Sequence, residues 1–223
     1  MSMTDAKTQT FITFIRHHRE QPRSVGFDAD GAERWQAILA KLEQLIQPVA
    51  TEVNTVMNDL TLTQEGQRQK LMAIGPRVVN NFKNLGVVLS EADKAKARLE
   101  TVLFAPITTK PTGDAVVTFL REDAIRRTVG KAQAGTELLL ATERGDIETM
   151  RALLDWPGRP MIAEDIKKRA FDAYAQKTNP TAWEKLRFIE VLRDNLEVLA
   201  TQTAQWLRHL GATPEAIAQA VKD

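Results

Sequence analysis

From Trp35 to Phe104 the apolar residues recur at steps of three and four, with a single break. Trp35, Ile38, Leu42, Leu45, Val49, Val53, Val56 and Leu60 form a first stripe. Leu71, Ile74, Val78, Phe82, Leu85, Leu89, Ala92, Lys96, Leu99 and Leu103 form a second, with Lys96 as its polar member. Such spacing averages about 3.5 residues per turn, so each stripe keeps to one helix face and favours knobs-into-holes contact with a neighbouring helix. Each stripe also holds a doubled four-residue step, which locally unwinds a supercoil. Between the stripes lies the polar stretch Asp59–Gly66, where Thr61 and Gln64 have capping-box spacing. The pattern therefore predicts two antiparallel helices over 30–59 and 63–104, about 45 Å and about 60 Å long.

Two prolines fall inside these helices. Pro48 removes the donor that would reach Gln44, and Pro76 the donor that would reach Met72, so each site should kink or break. Gly75-Pro76 is the weaker point, where one helix could end and another begin. The stripe stays in phase from Ile74 to Val78, which favours a kink there.

Before the stripes, Asp5–Arg19 carries Phe11, Ile12, Phe14 and Ile15, a short amphipathic helix expected to dock on the hairpin or on a partner. Residues 20–30 read as a loop. After them, Ala105–Asp114 contains two prolines and a glycine that should stop the second helix. Shorter helices follow: Asp114 to about Val129, with Val116, Val117, Phe119, Leu120 and Ile125; Thr136–Arg144; Asp146 to Trp156, stopped by residues 157–160; and Ala163–Gln176. Asn179-Pro180 then opens a long helix that closes at Gly211, with Trp183, Leu186, Ile189, Leu192, Leu196, Leu199, Thr203, Trp206 and Leu210 mostly at three-four spacing. That helix can lie along the hairpin. A last short helix starts at Thr213-Pro214-Glu215 with Ile217 and Val221 inward.

These elements predict an all-α fold: a long antiparallel, coiled-coil-like helical hairpin plus a C-terminal helical bundle with one further long helix. The expected divisions are an N-terminal helix and loop over 1–29, the hairpin over 30–104, a linker over 105–113 and a C-terminal helical domain over 114–223.

Composition narrows the function more than it identifies it. The chain has 223 residues, 43% hydrophobic content and no cysteine, which supports a core and excludes disulfides, thiol nucleophiles and thiolate metal sites. No apolar run reaches membrane-spanning length, so a soluble, intracellular or virion location and no membrane contact are expected. Basic and acidic residues number four and four over 1–30, nine and eight over 31–104, and seventeen and seventeen over 105–223. A nucleic-acid partner is disfavoured by this balance, because phosphate neutralisation needs a basic face. Arg126-Arg127-Lys131 and Lys167-Lys168-Arg169 are flanked by acids and read as solvated faces.

His17 and His18 are adjacent and point about 100° apart on a helix, His209 is remote, and there is no Glu-x-x-His pair, phosphate-cradling loop or Gly-x-Ser-x-Gly elbow. No catalytic, cofactor or metal residues are nominated, and no cofactor is expected. The apolar residues expected to meet protein partners are Phe11, Phe14, Trp35, Leu42, Leu85, Leu89, Leu196 and Trp206. The expected state is a homo-oligomer or larger assembly.

Thr136–Leu154 resembles the helix pair of an ankyrin repeat, once and without the Thr-Pro-Leu-His start, and reads as an ordinary helical hairpin. Leu62–Leu71, Leu138–Leu154 with its Glu-Arg-Gly-Asp centre, and Lys177-Thr178-Asn179-Pro180 before the long helix together resemble helical proteins of undefined role among phage and prophage structural genes. The resemblance covers most of 60–210 and implies a virion or assembly component. The alternatives are a nucleic-acid-associated accessory factor and a helical enzyme whose site assembles from distant residues.

Overall fold

The computed structural model describes residues 3–22, 26–109, 113–156 and 162–222. Among them every regular element is helical, as the apolar periodicity predicts. The chain divides into two compact units, Met1–Ala95 with Phe188–Asp223, and Lys96–Arg187. This division differs from the expected boundary at 105–113. It follows the packing: the end of the long C-terminal helix supplies Leu196, Leu199, Trp206, Leu207 and Leu210 to the same core as the N-terminal helices.

In the first unit, α1 (Met3–Glu20) packs along α2 (Ala29–Asn58). Asp28 sets the start of α2 by accepting from the Gly31 N–H at 2.7 Å. Pro48 and Gln44 are both exposed, which leaves the carbonyl that the proline frees open to solvent, and α2 runs through unbroken. The buried stripe of α2 is Trp35, Leu39, Leu42, Ile46, Val49, Ala50 and Val53. Leu45 and Leu60, expected on that face, are 38% and 97% exposed. Leu39 and Ile46 are equally apolar on the adjoining positions, and neighbours inside the chain select that side.

The second expected helix is divided. It forms α3 (Gln64–Met72), α4 (Ile74–Val78), a 3₁₀ turn over Val79–Phe82 and α5 (Lys83–Thr108). Its cap is Thr63, not Thr61: the Thr63 hydroxyl accepts from Gly66 N–H at 3.1 Å, while Thr61 donates to Asp59. The break at Ala73 has a tertiary cause. Pro76 cannot donate to the Met72 carbonyl, and the backbone of Gly211 lies against that carbonyl, so closely that a Cβ there would be 2.1 Å from the oxygen. Reciprocally, Gly75 N–H donates to Leu210 O at 2.7 Å, and a Cβ on Gly75 would meet Ala212 N at 2.5 Å. The stripe nevertheless stays in phase, since Leu71, Ile74, Val78, Phe82, Leu85 and Ala92 are all buried.

Helix α5 continues past the expected stop to Thr108, with Pro106 exposed and Ile107 1% exposed in the second unit's core. That unit adds α6 (Ala115–Val129), a 3₁₀ turn over Lys131–Gln133, α7 (Ala134–Arg144), α8 (Ile147–Leu154), α9 (Glu164–Thr178) and the first part of α10 (Pro180–His209). Asp114, Asp146 and Asn179 cap α6, α8 and α10 by accepting from Val116, Thr149 and Ala182 N–H groups. Ala134, Leu138, Ala141, Met150, Leu153, Ala170 and Tyr174 form its centre. The first unit closes with α11 (Pro214–Ile217) and a π-helical turn over Ala218–Lys222, placing Ile217 and Val221 inward as predicted. The stops assigned to residues 157–160 and part of the 105–113 linker lie outside the described residues.

Candidate functional site

The residues expected to meet partners are mostly spent inside the first unit. Phe11, Trp35, Leu42, Leu85, Leu196 and Trp206 are at most 8% exposed, and Phe14 and Leu89 are half-buried against the same core. Phe11 stacks on Trp206 at 5.0 Å, and Trp35 meets Phe27 at 5.5 Å. Their burial corrects the expectation that they face another molecule. The periodicity reports that a face is covered, and here the cover is the chain itself.

Three of them still come together at a surface. Leu42, Leu85 and Leu196 line an apolar cleft of about 360 Å³ between α2, α5 and α10, floored by Phe82 and Leu199. Leu45, Val87 and Val88 stand at its mouth, 38%, 52% and 38% exposed. Lys41 is its one charged lining residue, beside Asn81 and Asn84.

The second unit presents the larger anomaly. Helix α6 exposes Val116, Val117, Phe119 and Leu120 at 64%, 43%, 56% and 59%, and buries Glu122 and Arg126 at 4% and 5%. The usual order of inside and outside is reversed on one helix. The inward charges are fully engaged: Glu122 accepts from Arg126 at 3.1 Å and from Arg151 at 3.2 Å, while Arg126 donates to the carbonyls of Ala152 at 2.8 Å and Asp155 at 3.1 Å. Arg126 thereby ties α6 to the C-terminal end of α8, where a cation also meets the favourable helix dipole. With the charges holding α6 in place, its apolar residues are left facing solvent. Sequence reasoning took the Arg126 region for a solvated face, and Glu122 with Arg126 at an i,i+4 spacing gives no signal of burial.

Several of the basic side chains are paired. Arg127 meets Asp123 at 2.7 Å and Lys167 meets Glu164 at 2.6 Å. Among the described residues no three His, Asp or Glu side chains are grouped to hold a metal ion, and no helix is long and apolar enough to cross a membrane. Burial, and then neighbouring His17, holds His18 below the ordinary histidine range, and its Nδ1 is buried without a hydrogen-bond partner. No protein-family model matches the chain, and no curated protein and no solved structure matches it either.

Proposed function

We propose that this chain is a non-enzymatic structural or interaction component, a phage virion or assembly protein, that associates through the apolar face of α6. One observation carries the reading: a helix that buries and bonds two of its charges, Glu122 and Arg126, while Val116, Val117, Phe119 and Leu120 are exposed. Contiguous exposed apolar surface on a soluble fold marks an interaction site, because covering it removes apolar area from water at about 25 cal/mol per Å². The resemblance to helical proteins among phage structural genes supports an assembly as the destination. Partners are then proteins, a second copy of the chain first among them.

The test replaces Phe119→Asp and Leu120→Asp together, both exposed, and measures mass by light scattering over a range of concentrations. The unaltered chain is expected to self-associate and the variant to stay monomeric with the same helical circular dichroism. A wild-type chain that remains monomeric throughout overturns the reading.

A further inference from the structure

A second pocket of about 190 Å³, of mixed polar and apolar lining, lies in the first unit between α1 and the last turns of α10. Its floor is the stacked pair Phe11 and Trp206, and the indole is fixed by its Nε1–H, which donates to the buried Thr8 hydroxyl at 3.2 Å. Across it Lys7 meets His209, with Nζ 2.7 Å from Nε2 and 3.1 Å from Nδ1. A neutral imidazole offers one lone pair, so only one of these contacts is a hydrogen bond and the other ring nitrogen keeps its proton. Gln202 and Gln205, three residues apart on α10, add two amide groups, and among the described residues no carboxylate lines the pocket.

The arrangement keeps His209 neutral, as acceptor for Lys7, at a surface that solvent reaches. An ammonium beside an imidazole disfavours the second charge. Burial first, and then Lys7, holds His209 below its ordinary 6.5. Among the described residues, Lys7 and His209 are the titratable groups lining the pocket, one from each helix. The negative end of α10 is largely occupied: the carbonyls of Leu207, Arg208 and Leu210 accept from the N–H groups of Ala212, Gly211 and Gly75.

We infer that this pocket binds a small oxyanion of the sulfate or phosphate class, held by Lys7, His209 and the amides of Gln202 and Gln205. The anion replaces the imidazole as acceptor for the Lys7 ammonium. His209 then takes up a proton and donates to the anion, so binding and protonation favour each other. The volume beyond one oxyanion, over the Phe11 and Trp206 rings, leaves room for an organic body carrying the group. The inference stands apart from the proposed association through α6, which involves no residue of this pocket.

The full chain is titrated by NMR through its histidine Cε1–H resonances, with sulfate replacing chloride at constant ionic strength; sulfate is chosen because it does not itself titrate near neutral pH. The resonance of His209 is identified by its loss in His209→Gln. Sulfate is expected to raise the His209 midpoint while leaving His17 little changed, and to bind about tenfold more tightly near about pH 5.5 than near about pH 8. Lys7→Gln, checked for unchanged helical dichroism, is expected to weaken binding about tenfold. Benzenesulfonate binding more tightly than sulfate assigns the oxyanion to an organic body, and equal binding assigns the free anion. A His209 midpoint that sulfate does not move, or moves equally in Lys7→Gln, overturns the proposal.

Discussion

The two units solve the same problem, holding helices together, by different means. The first relies on long apolar stripes and a backbone contact at Gly75 and Gly211, with its ion pairs at the rim, where Arg16 and Arg19 share Glu43. The second has shorter helices and places a three-membered charge cluster, Glu122 with Arg126 and Arg151, in its interior. Apolar packing is permissive about exact partners, whereas backbone contact and buried charge each demand one geometry. The sensitive points of the two units should therefore be two glycines in one and three charged residues in the other.

The same helix stop occurs in both units and separates these cases. Gly211 and Gly145 each follow a helix with positive φ, +90° and +74°, and each closes the same pair of capping hydrogen bonds. Around Gly145 the nearest atom to an added Cβ is Lys177 Nζ at 4.0 Å, but at Gly211 it is the Met72 carbonyl oxygen at 2.1 Å. Gly211→Ala should cost about 4 kcal/mol or more, because backbone must move, and Gly145→Ala about 1 kcal/mol from the left-handed conformation alone. Urea unfolding followed by circular dichroism reads both. Equal losses would show that the Met72 carbonyl adds nothing to the cost at Gly211.

Next in size is the charge cluster. Arg126→Leu leaves the Glu122 carboxylate buried with Arg151 as its remaining partner, and an expected loss of about 3 kcal/mol follows. Replacing Glu122, Arg126 and Arg151 together by leucine should recover most of that loss, since no charge is then left in the interior. In the first unit, Arg16→Ala should cost about 0.5 kcal/mol, as expected for a largely solvated pair. A triple variant as unstable as the single one would mean that the hydrogen bonds of Arg126 to Ala152 and Asp155, not the charges, hold α6.

These contrasts also explain what could be read in the sequence. The limits of α10 were legible because Asn179-Pro180 and Gly211 act within a few residues of the ends they set. The break at Ala73 was legible only as the less favoured alternative to a kink at Gly75-Pro76, because half of its cause is Gly211, far along the chain. The phase of the α2 stripe was misplaced toward Leu45 because Ile38, Leu39, Leu45 and Ile46 are all apolar, and which pair turns inward is decided by α1 and α10. The reversed face of α6 was hidden for a related reason: Val116 to Leu120 looks like a core segment until Glu122 and Arg126 prove to be the buried residues. The anion pocket depends on Lys7 and His209 meeting from opposite ends of the chain, which no spacing rule reports.

The smallest expected effect concerns acid. His18 and His209, both in the first unit, have folded pKa values lowered from 6.5, by burial first and then by His17 and Lys7. Unfolding lets both rings bind protons more readily, so the native state loses stability as pH falls below 6.5 and through the lowered values. In the second unit Asp146 behaves oppositely. Burial pushes its carboxyl up, but the Thr149 N–H and hydroxyl, with Arg144, outweigh burial and hold it below 3.8. Its contribution is therefore kept through mild acid and lost only as pH falls below 3.8 toward the lowered value. Hydrogen exchange by region, corrected for intrinsic rates, should show the first unit opening more readily at about pH 5.5 than at about pH 7.5 while the α7 and α8 amides change little. Solvent screening keeps the difference small. His18→Gln with His209→Gln should flatten it, and a pH response that survives both substitutions would place its origin in some other group.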